Sequence, residues 1–549
     1  MTTRNGLLYT RTAMAGRTVR ELVTLAAFCA FLFFFGLGSF GLAGPDEPRY
    51  AQVAREMAER GDWVTPTLQG EVWLEKPILY YWRARVAYAL FGVADWSARL
   101  PSATFAALMI AAIYLFMRRF RPGGQLEAAL ITASAAGILG FARAASTDME
   151  LAAPFTLGML AWYAWHATGR RRWLAAFYFF LAVGTLGKGP VAPGLAALMV
   201  AAYAGLRRDL SLLWRTLWLP GVLLFLLVAL PWYVAVQMAN PQFFRVFFVE
   251  HNLARFATDL YRHQQPFWFY LPVLILGLLP WTVIAGAALV QAMKRARLVW
   301  RERGETHDPL PLFLAAWAVV PVVLFSLSQS KLPGYILPAL PAWTLLAADR
   351  VWKRQQEGKG LGAGLAWGHA LLLGTIAGAL PLLPFVFQRP RQPLESWAVG
   401  IAAGVGVIVL AATLVTLRRY GMGMLRFVTL VPVILTVAFL VRVEAPAMDR
   451  ALSSRPVAAE LERLGTAGKP AAGFQIHRNL EYGLGFYRNQ KMRRYERNEM
   501  PAEDHLLIVR EGAQEEAAKL AGGRRLSRIG GFAPQGIEYY WVSSMQDAK

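Results

Sequence analysis

The sequence predicts a polytopic α-helical membrane protein that carries a small soluble α/β domain at its C-terminal end. Three observations predict it. Of the 549 residues, 56% are hydrophobic and 17% charged, more apolar surface than a soluble chain of this size can enclose, so the excess must face lipid. The apolar residues gather into about thirteen runs of spanning length, separated by short basic or polar loops. From residue 444 onward the runs stop and the composition turns ordinary. Residues 1–443 are therefore assigned to a transmembrane domain, with interfacial helices at about 46–95, and residues 444–549 to the soluble domain.

The first run, roughly 22–43, follows Arg4, Arg11, Arg17 and Arg20. At about 22 residues it is longer than the apolar core of a signal peptide, so it reads as an uncleaved first span with its N-terminus inside. Further runs lie near 98–117, 127–146, 149–167, 172–187, 190–206, 216–238, 267–290, 310–327, 333–350, 362–387, 397–417 and 424–443. Basic loops follow at Arg118, Arg119 and Arg121, at Arg170 to Arg172, at Arg207 and Arg208, at Lys294, Arg295 and Arg297, at Lys353 and Arg354, and at Arg418 and Arg419. All fall on the cytoplasmic side only if residues 76–95 do not cross the bilayer. That aromatic segment, with Arg83 and Arg85, is expected to lie at the interface.

Between the first span and Ser97 the chain forms a long external loop. Asp46 and Pro48 read as the N-cap and early-turn proline of a helix whose apolar face is Tyr50, Val53, Ala54 and Met57, ended by Gly61. Parity puts further polar stretches on the same side: Ser146 to Glu150, Gly187 to Pro190, 240–266, and Ser328 to Tyr335. In the tail, strand-like runs at Ala472 to His477, Leu506 to Val509 and Gly536 to Val542 alternate with a helical run at Gln514 to Leu520, an α/β pattern that thirteen spans place outside.

The formal net charge of +22 sits in clusters between spans, as the positive-inside rule requires, so nucleic acid is excluded as a partner. Cys29 is the single cysteine and the seven histidines are scattered, which leaves no disulfide framework and no compact zinc motif.

What remains for chemistry is the external charge. Asp46 and Glu47 are adjacent carboxylates at a span exit, and Asp148 with Glu150 is a second acidic pair at the start of a span; either pair can supply a base or orient a polar acceptor. Helix capping is the alternative for one member of each pair; it is weaker for Asp46, because a cap needs no second acid beside it, and stronger for Asp148. Glu75, Lys76 and Pro77 place a cation beside aromatics, where it can hold a phosphate or simply snorkel. Lys188, Lys331, Arg49, Arg255, Arg262 and His263 are further candidates. Cations and acid pairs gathered at span ends on one side, with apolar mid-spans, suit transfer of a group from a phosphate-linked lipid better than transport or anchoring.

The stretches Gly44 to Tyr50 (GPDEPRY), Leu74 to Trp82 (LEKPILYYW), Asp95 to Ala103 (DWSARLPSA), Arg143 to Pro154 (RAASTDMELAAP), Leu186 to Pro190 (LGKGP) and Ser330 to Pro341 (SKLPGYILPALP) resemble the bacterial undecaprenyl phosphate-aminoarabinose:lipid A aminoarabinose transferases. These are GT-C glycosyltransferases related to protein O-mannosyltransferases. The resemblance covers about residues 20–350. It implies an inverting inner-membrane enzyme that moves 4-amino-4-deoxy-L-arabinose from undecaprenyl phosphate to lipid A phosphates at the periplasmic face, giving resistance to polymyxin and cationic peptides. By position, Asp46 matches the catalytic acid of the first loop and Asp148 the acid of the second, while Lys76, Arg262 and Tyr335, with Lys331 nearby, would hold the donor phosphate. No cofactor is required; a divalent ion could rest on Glu75, His251 and His263 without a catalytic role assigned to it. The expected partners are the polyprenyl-linked sugar, lipid A within lipopolysaccharide, and the bilayer, with the chain a monomer. The same fold acting on a protein or another glycan, or a transporter of lipid-linked sugars, are the alternatives.

Overall fold

The computed structural model describes residues 2–254, 265–302, 308–387 and 393–543. Each of the thirteen apolar runs lies mainly on helix. The first begins as α1 (Thr2–Cys29), continues through one π turn, Ala30–Phe34, and leaves the helix in an extended conformation at Phe35.

The external loop folds as α2 (Asp46–Arg60), a tight hairpin of β1 (Thr67–Leu68) and β2 (Glu71–Val72), and α3 (Leu79–Phe91). α3 has 13 residues, about 20 Å at 1.5 Å per residue, too short to cross roughly 30 Å of hydrocarbon. The buried face of α2, Tyr50, Val53, Ala54 and Met57, packs on Tyr80, Tyr81, Ala84 and Tyr88 of α3. Gly61 ends α2 in the left-handed region at φ 70°, where a Cβ would be strained.

Next come α4 (Asp95–Phe120), the broken pair α5 (Gln125–Ala133) and α6 (Ala136–Ala142), α7 (Asp148–Thr168) and α8 (Arg171–Lys188). Among the described residues, four helices are long and apolar enough to cross a membrane: Asp95–Phe120, Leu219–Ala239, Ala363–Phe387 and the continuous Ser396–Leu452. The number rises to six if each bent pair is one span. Three of the four bury only 22% of their apolar window, so most of that surface faces outward, where only lipid can cover it without penalty.

The two bent pairs, α5–α6 at 66° and Phe267–Gly277 with Thr282–Arg297 at 119°, meet at their breaks. Ala136 N–H donates to the Leu279 carbonyl at 2.8 Å, and Trp281 Nε1 donates to Ser134 Oγ at 2.9 Å. Pro280 removes a donor at the second break. Backbone groups freed at one break are thus bonded by the other, the condition for interrupting a helix at membrane depth.

The tail forms a five-stranded mixed sheet in the order β4-β3-β5-β7-β6, with β3 (Ala471–Phe474), β4 (Arg493–Arg494), β5 (His505–Arg510), β6 (Arg525–Phe532) and β7 (Ile537–Ser543). β3 lies parallel to β4 and β5, and β7 runs antiparallel to both its neighbours, β5 and β6. Sequence alone misses two strands of this sheet, the two-residue β4 and β6; in β6 two glycines and three polar residues blur the alternation. The helix Arg478–Arg488 of this tail packs on α2, and its Phe486 joins the α2–α3 aromatic cluster.

Candidate functional site

At the end of the bundle where the 75–77 segment, α7, the end of α8 and the 328–335 loop meet, a cavity is lined by Glu75, Lys76, Pro77, Leu151, Lys188, Val191, Phe247, His251, Phe325, Ser328 and Tyr335. Asp148, the first residue of α7, forms an ion pair with Lys188 at the C-terminal end of α8. The approach depends on two glycines. A Cβ on Gly187 would lie 2.3 Å from the Glu150 carbonyl oxygen, and one on Gly334 would lie 2.3 Å from Asp148 Oδ1. Bare backbone therefore lets α8 and the 328–335 loop close on the start of α7. The Lys188 ammonium also sits 5.5 Å from the Tyr335 ring centroid.

Asp46 reaches this cavity through its neighbours. It is the first residue of α2 and not its N-cap, which is Pro45; its carboxylate is turned back to the Arg49 guanidinium one helical turn on. Arg49 lies among the rings of Tyr50, Trp73 and Tyr482, between 5.1 and 5.6 Å from their centroids. Burial weighs against its charge, but Tyr50, Asp46 and Glu75 together raise its pKa. The Tyr50 phenol is pushed up by burial, then by Asp46 and Asp148, and burial likewise raises Tyr80 and Tyr81.

The other acid of each doublet is differently placed. Glu47 accepts from Arg99 Nε at 2.9 Å and Nη2 at 2.7 Å, and from the Ala43 and Ala145 backbone N–H groups at 2.7 Å each. Arg99 in turn donates to the carbonyls of Leu37, Phe40 and Gly41. With four donors on its two oxygens, Glu47 ties the end of the first span to α4 and to the loop before α7. That corrects its reading as a chemical partner of Asp46. Glu150 is fully buried and takes both its bonds from Arg83 Nη1 at 2.7 Å, so α3 is fastened to α7.

Lys76 and Tyr335 line the cavity. Lys331 does not; its Nζ donates to the Ser328 carbonyl at 2.6 Å within its own loop, and Lys188 takes the position beside the pocket instead. Of the three metal candidates, His251 Nε2 lies 4.0 Å from Glu75 Oε1, and His263 lies outside the described residues. Arg255 and Arg262 lie outside them as well. No group of three metal-ligating side chains occurs among the described residues.

Two contributions were not read from the sequence. Trp73 and Tyr482 flank Arg49, and Asp95 binds the tail, accepting from Arg455 Nη1 at 2.8 Å and from the Tyr487 hydroxyl at 2.6 Å. Tyr487 also accepts from the Leu42 N–H at 2.7 Å. A Tyr or Arg in the soluble tail has no local signal that would link it to residue 46.

A family model for dolichyl-phosphate-mannose-protein mannosyltransferase matches residues 18–247. The undecaprenyl phosphate-alpha-4-amino-4-deoxy-L-arabinose arabinosyl transferase of Pseudomonas paraeruginosa is 36% identical over 393 residues, covering 69% of this chain and 68% of that protein. The chain belongs to this arabinosyl transferase family. A Pseudomonas aeruginosa relative of the same name is 35% identical over 70% of each chain. The crystal structure of ArnT from Cupriavidus metallidurans bound to undecaprenyl phosphate superposes with a TM-score of 0.77 at 25% identity, over 96% of this chain and 98% of that one. The archaeal oligosaccharyltransferase AglB from Archaeoglobus fulgidus shares the fold, with a TM-score of 0.51 at 12% identity over 97% of this chain and 74% of that one. This family member is thus a glycosyltransferase with a helical membrane GT-C fold.

Proposed function

We propose that the chain transfers 4-amino-4-deoxy-L-arabinose from undecaprenyl phosphate to a phosphate of lipid A, in a bacterial inner membrane. The observation that carries this reading is the gathering of Asp148, Lys188, Tyr335, Lys76 and the Glu75–His251 pair at one cavity, with Asp46 coupled to it through Arg49 and Tyr50. Membership in the arabinosyl transferase family and the likeness to a structure holding undecaprenyl phosphate support the donor. Thirteen spans, with the cavity and the tail domain on the periplasmic side, agree with the positive loops at the opposite helix ends.

In this reaction the anomeric C–O bond to undecaprenyl phosphate breaks as a lipid A phosphate oxygen forms its own bond to that carbon from the opposite face. Undecaprenyl phosphate leaves with the electron pair. Lys76 and Tyr335, with Arg262, hold the departing phosphate, where developing negative charge gains most from fixed donors. An acceptor phosphate is already ionised, so no base is required; Asp46 and Asp148 orient the sugar and its amine. A divalent ion, if bound, would take Glu75 and His251 as two of its donors, and no step is routed through it.

The test is the lipid A mass spectrum of cells that lack their own transferase and express either this chain or its Asp46→Asn form at matched membrane levels. An aminopentose increment with the first only supports the reading. Its absence from both, with the donor lipid present, overturns the lipid A acceptor in favour of a protein or glycan acceptor or a transport role.

A further inference from the structure

The opposite end of the bundle carries a second built feature. α4, α7 and α8 enclose a slot of about 340 Å³ lined by Ala112, Leu115, Leu160, Ala164, Ala176 and Phe180 among others. Its walls are apolar over their whole length, and its mouth is formed by Arg119, Arg170 and Arg172 with the Trp173 ring. The three guanidinium groups come from three separate places: the last turn of α4, the turn after α7 and the first turn of α8. None of them forms an ion pair with an acidic side chain among the described residues, whereas the neighbouring Arg121 is bound to Asp308 and Asp349. Arg172 instead lies 5.3 Å from the Trp173 ring centroid.

Depth places this mouth. α7 runs 21 residues from Asp148, roughly 30 Å at 1.5 Å per residue, which equals the thickness of the hydrocarbon layer. The arginines therefore lie at the headgroup level of the leaflet opposite the cavity at Asp148. A tryptophan at that level marks the membrane interface.

We propose that this slot is a binding site for an anionic glycerophospholipid of the opposite leaflet, with one acyl chain between α4, α7 and α8 and the phosphate held by Arg119, Arg170 and Arg172. The positive-inside rule explains why arginines lie on this side, but not why three converge, without acidic partners, on the open end of an apolar slot. Phosphate offers each guanidinium paired acceptors, and the slot covers an acyl chain with small side chains that leave it room.

The experiment uses the full chain, purified in detergent and stripped of co-purifying lipid, titrated in native mass spectrometry with phosphatidylglycerol or with phosphatidylcholine of the same acyl chains. Wild-type protein is expected to bind phosphatidylglycerol about tenfold more tightly than phosphatidylcholine. Each arginine removed should weaken that binding about fivefold, so Arg119→Gln/Arg170→Gln/Arg172→Gln should lose about a hundredfold. All three side chains are exposed, so the fold should tolerate the change. Ala176→Trp keeps every charge and fills the slot; it should weaken the lipid as well. Lys294→Gln/Arg295→Gln/Arg297→Gln, at the basic end of another helix, should leave binding unchanged. The proposal is overturned if the triple arginine variant binds like wild type, if the two lipids bind alike, if Ala176→Trp has no effect, or if the control substitutions matter as much.

Discussion

The helices that begin at Asp46 and at Asp148 each open on a pair of acids, and the two members of each pair live in opposite surroundings. Glu47 and Glu150 have side chains 11% and 0% exposed, each held by an arginine from another helix. Asp46 and Asp148 are 54% and 19% exposed, each paired with a cation, Arg49 and Lys188 in turn. The glutamate, with its longer reach, fastens the helix start to the scaffold; the aspartate is left at the surface for substrate. The two sites differ in where the cation comes from. Arg49 is local to α2, while Lys188 comes from α8, so Asp148 depends on helix packing that Asp46 does not need.

If that division of labour is right, changing an aspartate should remove activity without unfolding the protein. Asp46→Asn and Asp148→Asn are each expected to lower transfer about a hundredfold, the scale of a substrate held out of its reactive position, with the thermal midpoint close to wild type. A transfer assay beside a melting curve in detergent checks it; an inactive Glu47→Gln with an active Asp46→Asn would reverse the comparison.

Changing a glutamate should do the converse. Glu47→Gln leaves Arg99 buried without its charge partner, a loss of about 3–5 kcal/mol. Replacing both, Glu47→Gln with Arg99→Met, should recover part of that stability, because the unpaired buried charge is gone. A double mutant that melts below the single would break the assignment of Glu47 as an anchor.

The dependence of Asp148 on packing has its own probe. Gly334→Ala places a methyl group against the Asp148 carboxylate, displacing it from Lys188 while leaving Asp46 untouched. Transfer should fall about tenfold, a cost near 1.4 kcal/mol in the barrier, with little change in melting. Equal activity would mean that the carboxylate can shift without consequence.

Much of this was legible in the sequence, for physical reasons. The apolar runs, the α2 face Tyr50, Val53, Ala54 and Met57, and the αL stop at Gly61 follow from periodicity and backbone sterics, which are local. The short α3 was legible through Arg83 and Arg85, which argue against burial in lipid. What could not be read is where a long side chain ends. Glu47 and Asp46 are neighbours in sequence, yet only the position of Arg99, 52 residues on, shows which one is engaged. The same holds for Lys331, whose ammonium turns to its own loop while Lys188 meets Asp148. The breaks at Ser134 to Ala136 and at Pro280 were hidden because composition alone reads a bent pair as one continuous span.

The tail offers the finest test of how far the Asp46 side depends on the rest of the chain. Tyr487 donates to Asp95 and accepts from the Leu42 N–H, so one hydroxyl joins the sheet domain to the start of α4 and to the segment leading into α2. Tyr487→Phe removes both bonds and keeps the ring, at an expected cost of about 1–2 kcal/mol. Hydrogen exchange should then quicken at Leu42 and along α2, while α7, fastened by Glu150 to Arg83, should not change. If both helices loosened together, the two acid sites would share one support; if only α2 does, the tail holds the Asp46 helix in place and the membrane bundle holds the other.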